Sequence, residues 1–141
     1  MSVYVTAQTS KQTYDEDELH LIISILMNEL GVPSHLKGYK YLSLGVSMVY
    51  TDHTMIRSVT TGLYRSIAER YDTTASCVER DMRTALKSAV TSGRLIRFDS
   101  YFASILTASN RISARNFIAI ISEKLRNNLI IVPKISDGKP A

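Results

Sequence analysis

The sequence has little of what metal sites, disulfides and most active sites require. It contains one cysteine, Cys77, so no intramolecular disulfide can form. Its three histidines, His20, His35 and His53, are scattered without the spacing of metal ligands and without a paired nucleophile. The chain also lacks a glycine-rich phosphate loop. We therefore expect no metal, no cofactor and no enzymatic activity.

Long apolar runs are also lacking. The strongest stretches, Leu21 to Met27 and Leu129 to Val132, are far shorter than the roughly 18 residues that a membrane-spanning helix needs. Residues 1–14 have neither the apolar core of a secretory signal nor the arginine-rich pattern of a transit peptide. We therefore expect a cytoplasmic protein with no membrane partner. An apolar fraction of 45% in 141 residues is enough for one domain with its own core.

The charge of the chain is unevenly distributed. Residues 1–31 contain one lysine and five acidic residues, a net charge of −4. Residues 57–97 contain eight lysine and arginine residues and four acidic residues, a net charge of +4. A clustered basic surface is typical of polyanion-binding proteins, although a mildly basic domain that binds no anion has a similar composition. Charge alone therefore leaves nucleic-acid binding open.

Hydrophobic periodicity predicts an all-α fold, a six-helix bundle without a convincing strand. The predicted helices span about residues 15–30, 38–51, 58–71, 76–92, 100–107 and 114–127. The first is marked by the capping pair Asp15 and Glu18, and Gly31 ends it. We expect a flexible N-terminal segment (1–14), one helical domain (15–127) and a C-terminal tail (128–141).

The third and fourth predicted helices follow the order of a helix-turn-helix. A shorter helix precedes a turn of about four residues, and Ser76 and Glu79 then have the spacing of a capping box at the start of the next helix. One face of that helix is apolar: Val78, Met82, Ala85, Leu86 and Ala89. This arrangement predicts a helix-turn-helix over about residues 58–92, whose second helix reads duplex DNA.

The opposite face of the fourth helix forms a basic ridge. Its members follow the spacing i, i+3, i+4 and i+7: Arg80, Arg83, Thr84 and Lys87. A major groove admits such a ridge, but a solvated helix face has the same spacing. Hydroxyl side chains lie at the start of the helix: Thr73, Thr74 and Ser76. They either cap the helix or contact phosphate, and both uses stay open.

Several segments resemble a known family. They are Gly31-Val32-Pro33, His35 to Leu42 (HLKGYKYL), Met48-Val49-Tyr50, Leu63-Tyr64, Ile67-Ala68, Tyr71 to Arg83 (YDTTASCVERDMR), Phe117-Ile118-Ala119 and Lys124-Leu125-Arg126. From Leu19 to Asn127 the chain resembles the C-terminal effector domain of the stage-zero sporulation master response regulator of endospore-forming Firmicutes. The resemblance implies a six-helix domain whose fourth helix enters the major groove, with two copies, a homodimer, in tandem on neighbouring promoter boxes.

The resemblance also assigns roles to residues. It implies that Glu79, Arg80 and Arg83 read bases, which is chemically reasonable because arginine donates two hydrogen bonds to guanine and glutamate accepts from cytosine N4. Lys37 and Lys40 become candidates for contacts to the DNA backbone, or else are plain surface lysines. Thr84 and Lys87, with the hydroxyls at the start of the helix, would support the contact.

The sequence departs from the family in three respects. The family carries a phosphoacceptor receiver domain, and we expect none here because only eighteen residues precede Leu19, where the resemblance begins. Cys77 and Thr84 occupy positions where the family carries basic residues, which bears on the affinity and on the preferred box. The segment Leu95 to Ser113 diverges, and in the family that region is implicated in contacts with the RNA polymerase sigma subunit. Activation of transcription therefore follows less directly than DNA binding.

The sequence is compatible with two functions. The first is a sequence-specific transcriptional regulator made of this DNA-binding domain. The alternative is an interaction module that keeps the fold but binds or antagonises a full-length regulator or RNA polymerase. Salt-dependent DNA binding distinguishes the two, because phosphate contacts release counterions and give a steep salt dependence.

Overall fold

The computed structural model describes residues 4–5, 14–108, 111–127 and 132–133. Its helices are α1 (Glu16–Glu29), α2 (Lys37–Thr51), α3 (Arg65–Arg70), α4 (Ala75–Ser92), α5 (Arg94–Phe98), α6 (Ser100–Leu106) and α7 (Ala114–Arg126). A 3-10 segment, His53–Ser58, and a π segment, Val59–Tyr64, lead into α3. The prediction of an all-α fold is confirmed. Most of the predicted N-terminal segment and C-terminal tail lies outside the described residues.

The strand content is one short pairing within the described residues. The two-residue strands β1 (Tyr4–Val5) and β2 (Val132–Pro133) pair antiparallel, with Tyr4 opposite Pro133. No helix in the described part of the chain combines the length and the apolar character needed to span a membrane.

The number of helices differs from the prediction. The described residues contain seven α-helices rather than six, because the short helix α5 follows α4 directly. Gly93 has a φ of +78°, which ends α4, and Leu95 in α5 is fully buried. A glycine in the left-handed conformation is a common helix end. A helix of five residues is too short to show a hydrophobic period, so the sequence pattern did not reveal α5.

The helical segment before the basic helix also starts earlier than predicted. Helical winding begins at His53 rather than near Ser58, and it changes from 3-10 to π to α before Arg70. The Asp52 carboxylate starts it by accepting hydrogen bonds from the Thr54 amide at 3.1 Å and the Thr54 hydroxyl at 2.6 Å. Periodicity predicted the π and α parts of this segment but missed the 3-10 part, whose winding departs from the 3.6-residue period.

The first helix follows the predicted pattern closely. The Glu18 amide donates to Asp15 Oδ1 at 2.8 Å, and the Asp15 amide donates to Glu18 Oε1 at 3.1 Å, which confirms the capping pair. At the other end Gly31 has a φ of +82°, and the Val32 amide donates to the Met27 carbonyl at 3.0 Å. This is the hydrogen bond of a Schellman motif, which satisfies carbonyls that the helix end leaves unpaired.

Helix α2 lies at the centre of the bundle, where it packs against α1, α4 and α7. Its glycines allow this, because Gly38 lies against the backbone of α4 and Gly45 lies against Ile118 of α7. The Arg126 guanidinium also donates to the Tyr50 carbonyl at 2.9 Å, which joins the ends of α7 and α2. Helix α4 therefore packs against the central helix α2, whose position is fixed by its packing against α1 and α7.

Candidate nucleic-acid interface

A tight turn of four residues, Tyr71–Thr74, joins α3 to α4. Asp72 has a φ of +53°, the left-handed conformation that glycine usually adopts at this position and that aspartate tolerates. The Thr73 amide donates to the Ala68 carbonyl at 2.9 Å, which is again the hydrogen bond of a Schellman motif. The predicted turn length is confirmed, and the turn is fixed by hydrogen bonds to α3.

The start of α4 differs from the predicted capping box. Helix α4 begins at Ala75, and the Cys77 amide donates to Thr74 Oγ1 at 3.1 Å. Thr74 is therefore the N-cap, and the prediction of a Ser76–Glu79 capping box is wrong. Ser76 lies inside the first turn and is exposed, while the Glu79 carboxylate contacts an arginine instead. The turn leaves Thr74 in an extended conformation, ψ 156°, which suits a cap.

Replacing Thr74 with alanine should lower the free energy of unfolding by about 1 kcal/mol, because the Cys77 amide loses its acceptor. Ser76→Ala is the matched control, and we expect it to change stability by less than about 0.5 kcal/mol because Ser76 is exposed. Urea unfolding of both variants measures the difference. Equal losses in the two variants would restore the capping role to Ser76.

The apolar face of α4 is buried as predicted. Its residues are Val78, Met82, Ala85, Leu86 and Ala89. Because successive residues advance by about 100° around a helix, the opposite face points away from the bundle. On that face Ser76, Arg80, Thr84 and Lys87 are exposed, whereas Cys77 and Arg83 are only partly exposed. The predicted ridge is therefore largely accessible.

Arg80 is the most accessible of the predicted base-reading residues on α4. Its side chain is 64% exposed, against 20% for Arg83 and 31% for Glu79. The Arg80 guanidinium lies 3.7 Å from the Asp81 carboxylate and 3.6 Å from Cys77 Sγ. The Thr84 hydroxyl donates to the Arg80 carbonyl at 3.0 Å, so its hydrogen is used within the helix. Exposed ion pairs of this kind are weak, so Arg80 keeps its freedom to contact a ligand.

The Glu79 carboxylate contacts two arginines, Arg83 and Arg111, at the edge of the ridge. Its Oε1 atom accepts a hydrogen bond from Arg83 on the same helix. The same oxygen lies 3.7 Å from the guanidinium of Arg111, which precedes α7. Burial, followed by the nearby Glu79 carboxylate, raises the pKa of Tyr64 to about 12, while Arg115 and Arg83 act in the opposite direction. Arg83 and Glu79 therefore belong to a charged cluster with other elements.

The predicted backbone contacts on α2 lie beside the turn. Lys37 and Lys40 are exposed in the first turn of α2. Lys40 Nζ lies 5.8 Å from the centre of the Tyr71 ring, and that ring meets Tyr41 edge-on with centres 5.2 Å apart. A cation over a ring face is attracted to it. The predicted lysines and the hydroxyls of the turn are thus gathered near the start of α4.

The sequence reasoning missed Arg111 and Arg115. Arg111 lies in the segment Leu95 to Ser113, which diverges from the family, and Arg115 lies in the sixth predicted helix, where the sequence pattern assigns it no role. The signal was weak, since 32 residues separate Arg111 from Glu79 and only the packing of α7 brings them together.

The sequence model of one family, the sporulation initiation factor Spo0A C terminal, matches residues 23–125 of the chain. The chain belongs to this family. The matched range runs from within α1 to the last turn of α7, so it includes the turn, α4 and the charged cluster. A Spo0A C-terminal domain is the DNA-binding effector domain of a sporulation transcription regulator, and it is not a known enzyme family. The resemblance drawn from the sequence is confirmed.

Proposed function

We propose that this chain is a sequence-specific transcriptional regulator that reads the major groove of duplex DNA with α4. The main support is the exposed ridge of α4, which lies opposite a fully buried face and follows a short, fixed turn. The helical segment that ends in α3, the turn and α4 would together form a helix-turn-helix. The N-terminal half of α4 would supply the contacts to base edges.

Within this proposal the base-reading residues are Glu79, Arg80 and Arg83. Arg80 reaches outward and suits a bidentate contact to guanine. Both arginine contacts of Glu79 involve Oε1, so we assign Oε2 the role of acceptor for a cytosine amino group. Supporting or phosphate contacts come from the residues around them: Lys37, Lys40, Thr73, Thr74, Ser76, Thr84 and Lys87.

The proposal also includes two binding partners predicted from the sequence, a second copy of the chain and the RNA polymerase sigma subunit. Two copies, a homodimer, would bind in tandem on neighbouring boxes in the cytoplasm. The segment Leu95 to Ser113 would contact the RNA polymerase sigma subunit. Two large apolar side chains are exposed in it, Ile96 at 52% and Tyr101 at 75%. The same observation favours the second candidate, an interaction module that binds a full-length regulator or polymerase, because exposed apolar groups suit protein contacts.

Arg80→Ala and Lys37→Ala test the proposal together. Arg80→Ala should cost about 1–3 kcal/mol on a preferred site selected from random duplexes and should relax discrimination there. Lys37→Ala should weaken binding to all duplexes alike and lower the salt dependence by about one unit of slope. Titrations of specific and random DNA at several salt concentrations measure both. Equal losses for Arg80→Ala on both DNAs would assign Arg80 to phosphate, and no salt-dependent binding by the unaltered protein would favour the interaction module.

A further inference from the structure

The ridge of α4 has a neighbour on each side. Glu79 and Asp81 are two residues apart, so they lie about 200° apart around the helix. The start of α2 lies against Asp81, because a Cβ on Gly38 would meet the Asp81 carbonyl oxygen at 2.1 Å. The segment before α7 lies against Glu79 through Arg111. Arg80 is between the two in sequence and faces outward.

Both neighbours of the ridge carry exposed cations. On the α2 side these are Lys37 and Lys40. On the α7 side they are Arg111, whose side chain is 71% exposed, and Arg115, which is also exposed. The Glu79 carboxylate thus contacts two guanidiniums, those of Arg83 and Arg111, and Arg115 is exposed four residues further along, in the first turn of α7. The excess positive charge borders the ridge.

The stability of α7 does not explain these arginines. Arg115 lies in the first turn of α7, where the helix dipole disfavours a cation, and that turn contains no acidic residue. By contrast, the first turn of α1 contains three: Glu16, Asp17 and Glu18. An exposed ion pair at 3.7 Å adds little stability, so the contact between Arg111 and Glu79 is better explained by what it positions.

We propose that Arg111 and Arg115 contact DNA phosphates on the side of α4 opposite Lys37 and Lys40, with Glu79 as the positioning residue that holds Arg111 against α4. This inference rests on the proposed function. A helix in the major groove is bordered by a phosphate backbone on each side, and the two pairs of cations would each follow one of them. Contacts to both backbones fix how deeply α4 enters and at which angle.

Arg111→Ala tests the phosphate contact, with Arg111→Lys as the conservative variant and Arg97→Ala as the matched control. Arg97 is an exposed arginine on α5, beyond the end of α4, which lies about 20 Å from Glu79 along the α4 axis. Arg111→Ala should lower the salt slope of DNA binding by about one unit and weaken binding to preferred and random duplexes by the same factor. Arg111→Lys should restore the slope, and Arg97→Ala should leave it unchanged.

The role of Glu79 is tested by adding Arg111→Ala to a Glu79→Gln background. If Glu79 positions Arg111, the fold-loss caused by Arg111→Ala will be smaller in that background than in the unaltered protein, because the contribution of Glu79 to the placement of Arg111 is already lost. Thermal unfolding of each variant checks that the fold is intact. The same fold-loss in both backgrounds would overturn the positioning role.

The outcomes separate this inference from the proposed function. If the unaltered protein binds DNA and Arg80→Ala relaxes discrimination, but Arg111→Ala leaves the salt slope unchanged, the second phosphate contact is wrong and the proposed function stands. If the unaltered protein shows no salt-dependent binding to any duplex, the proposed function fails and this inference fails with it.

Discussion

Replacing Gly38 with alanine should lower the free energy of unfolding by about 2 kcal/mol. The new Cβ would lie 2.1 Å from the Asp81 carbonyl oxygen, 2.7 Å from its carbon and 2.8 Å from the Ala85 Cβ. Because these atoms belong to the backbone and first carbon of α4, no side chain can rotate away, and α2 and α4 must separate. A contact this short with backbone atoms lies at the upper end of the cost of overpacking, about 3 kcal/mol. The higher helix propensity of alanine offsets about 1 kcal/mol of the cost.

Gly45→Ala is the matched control on the same helix. Its Cβ would meet Ile118 Cδ1 at 3.0 Å, and this atom is the flexible end of a side chain. We expect a change within about 1 kcal/mol, since alanine favours the helix while Ile118 shifts slightly. Urea unfolding measures both variants. A loss for Gly45→Ala as large as that for Gly38→Ala would show that the close approach to α4 is not what Gly38 provides.

Replacing Gly38 with alanine should also disturb DNA binding. A shift of α2 away from α4 moves Lys37 and Lys40 relative to the ridge. Gly38→Ala should therefore weaken binding to all duplexes even at temperatures where the variant is folded. Gly38 would then contribute to the geometry of the proposed interface without contacting the DNA.

Most of the fold was predictable because most helices in this chain are long enough to show their period. The apolar face of α4 was identified residue by residue, and the Asp15–Glu18 cap of α1 was found from its spacing. Short or irregular elements were not predictable in this way. The five-residue α5 and the 3-10 segment His53–Ser58 depend on packing rather than on a repeating local pattern.

At the start of α4, the local capping rules allow more than one residue to be the N-cap. Several hydroxyl residues precede Glu79, and more than one of them has a plausible capping geometry. The left-handed conformation of Asp72 decides between them, since it directs the chain so that Thr74 meets the Cys77 amide. Such a conformation is uncommon for a residue other than glycine, so local sequence rules do not predict it here.

The candidate site was predictable along α4 but not across elements. The i, i+4 spacing of Glu79 and Arg83 indicated that they are neighbours, and the structure pairs them. The contact from Arg111 arises only when α7 packs against the bundle, and no pattern of local spacing reports it. Residues that border a helix from another element are therefore the ones that single-sequence reasoning misses.

Alkylation of Cys77 should weaken DNA binding more than any single side-chain truncation on the ridge. Cys77 Sγ accepts a hydrogen bond from the Arg80 guanidinium at 3.6 Å, so a bulky adduct would displace Arg80 and hold α4 away from base edges. Loss of the Arg80 contact alone is worth about 1–3 kcal/mol. That corresponds to a loss of about five- to 150-fold in affinity.

The thiol is well placed for this test. Hydrogen bonds from Thr74 and then Thr73, with a smaller contribution from nearby Arg80, lower the pKa of Cys77 from its ordinary value. The thiolate therefore forms at a lower pH than in free cysteine, and the pH midpoint of maleimide labelling should shift downward accordingly. We expect Cys77 to be either a small residue that avoids a clash with DNA or a redox-sensing thiol, and in both cases a bulky adduct on it would hold α4 away from the groove.

The decisive measurement compares DNA binding by the labelled and unlabelled protein, with thermal unfolding to show that both are folded. Cys77→Ser is the matched control, since it keeps a small side chain, cannot be labelled, and should bind DNA with nearly unchanged affinity before and after maleimide treatment. The adduct lies in the first turn of α4, on the side that carries Arg80 and Thr84. A folded, fully labelled protein that binds its preferred site with undiminished affinity would show that this side of α4 does not face the groove, and the proposed orientation of the helix would then be wrong.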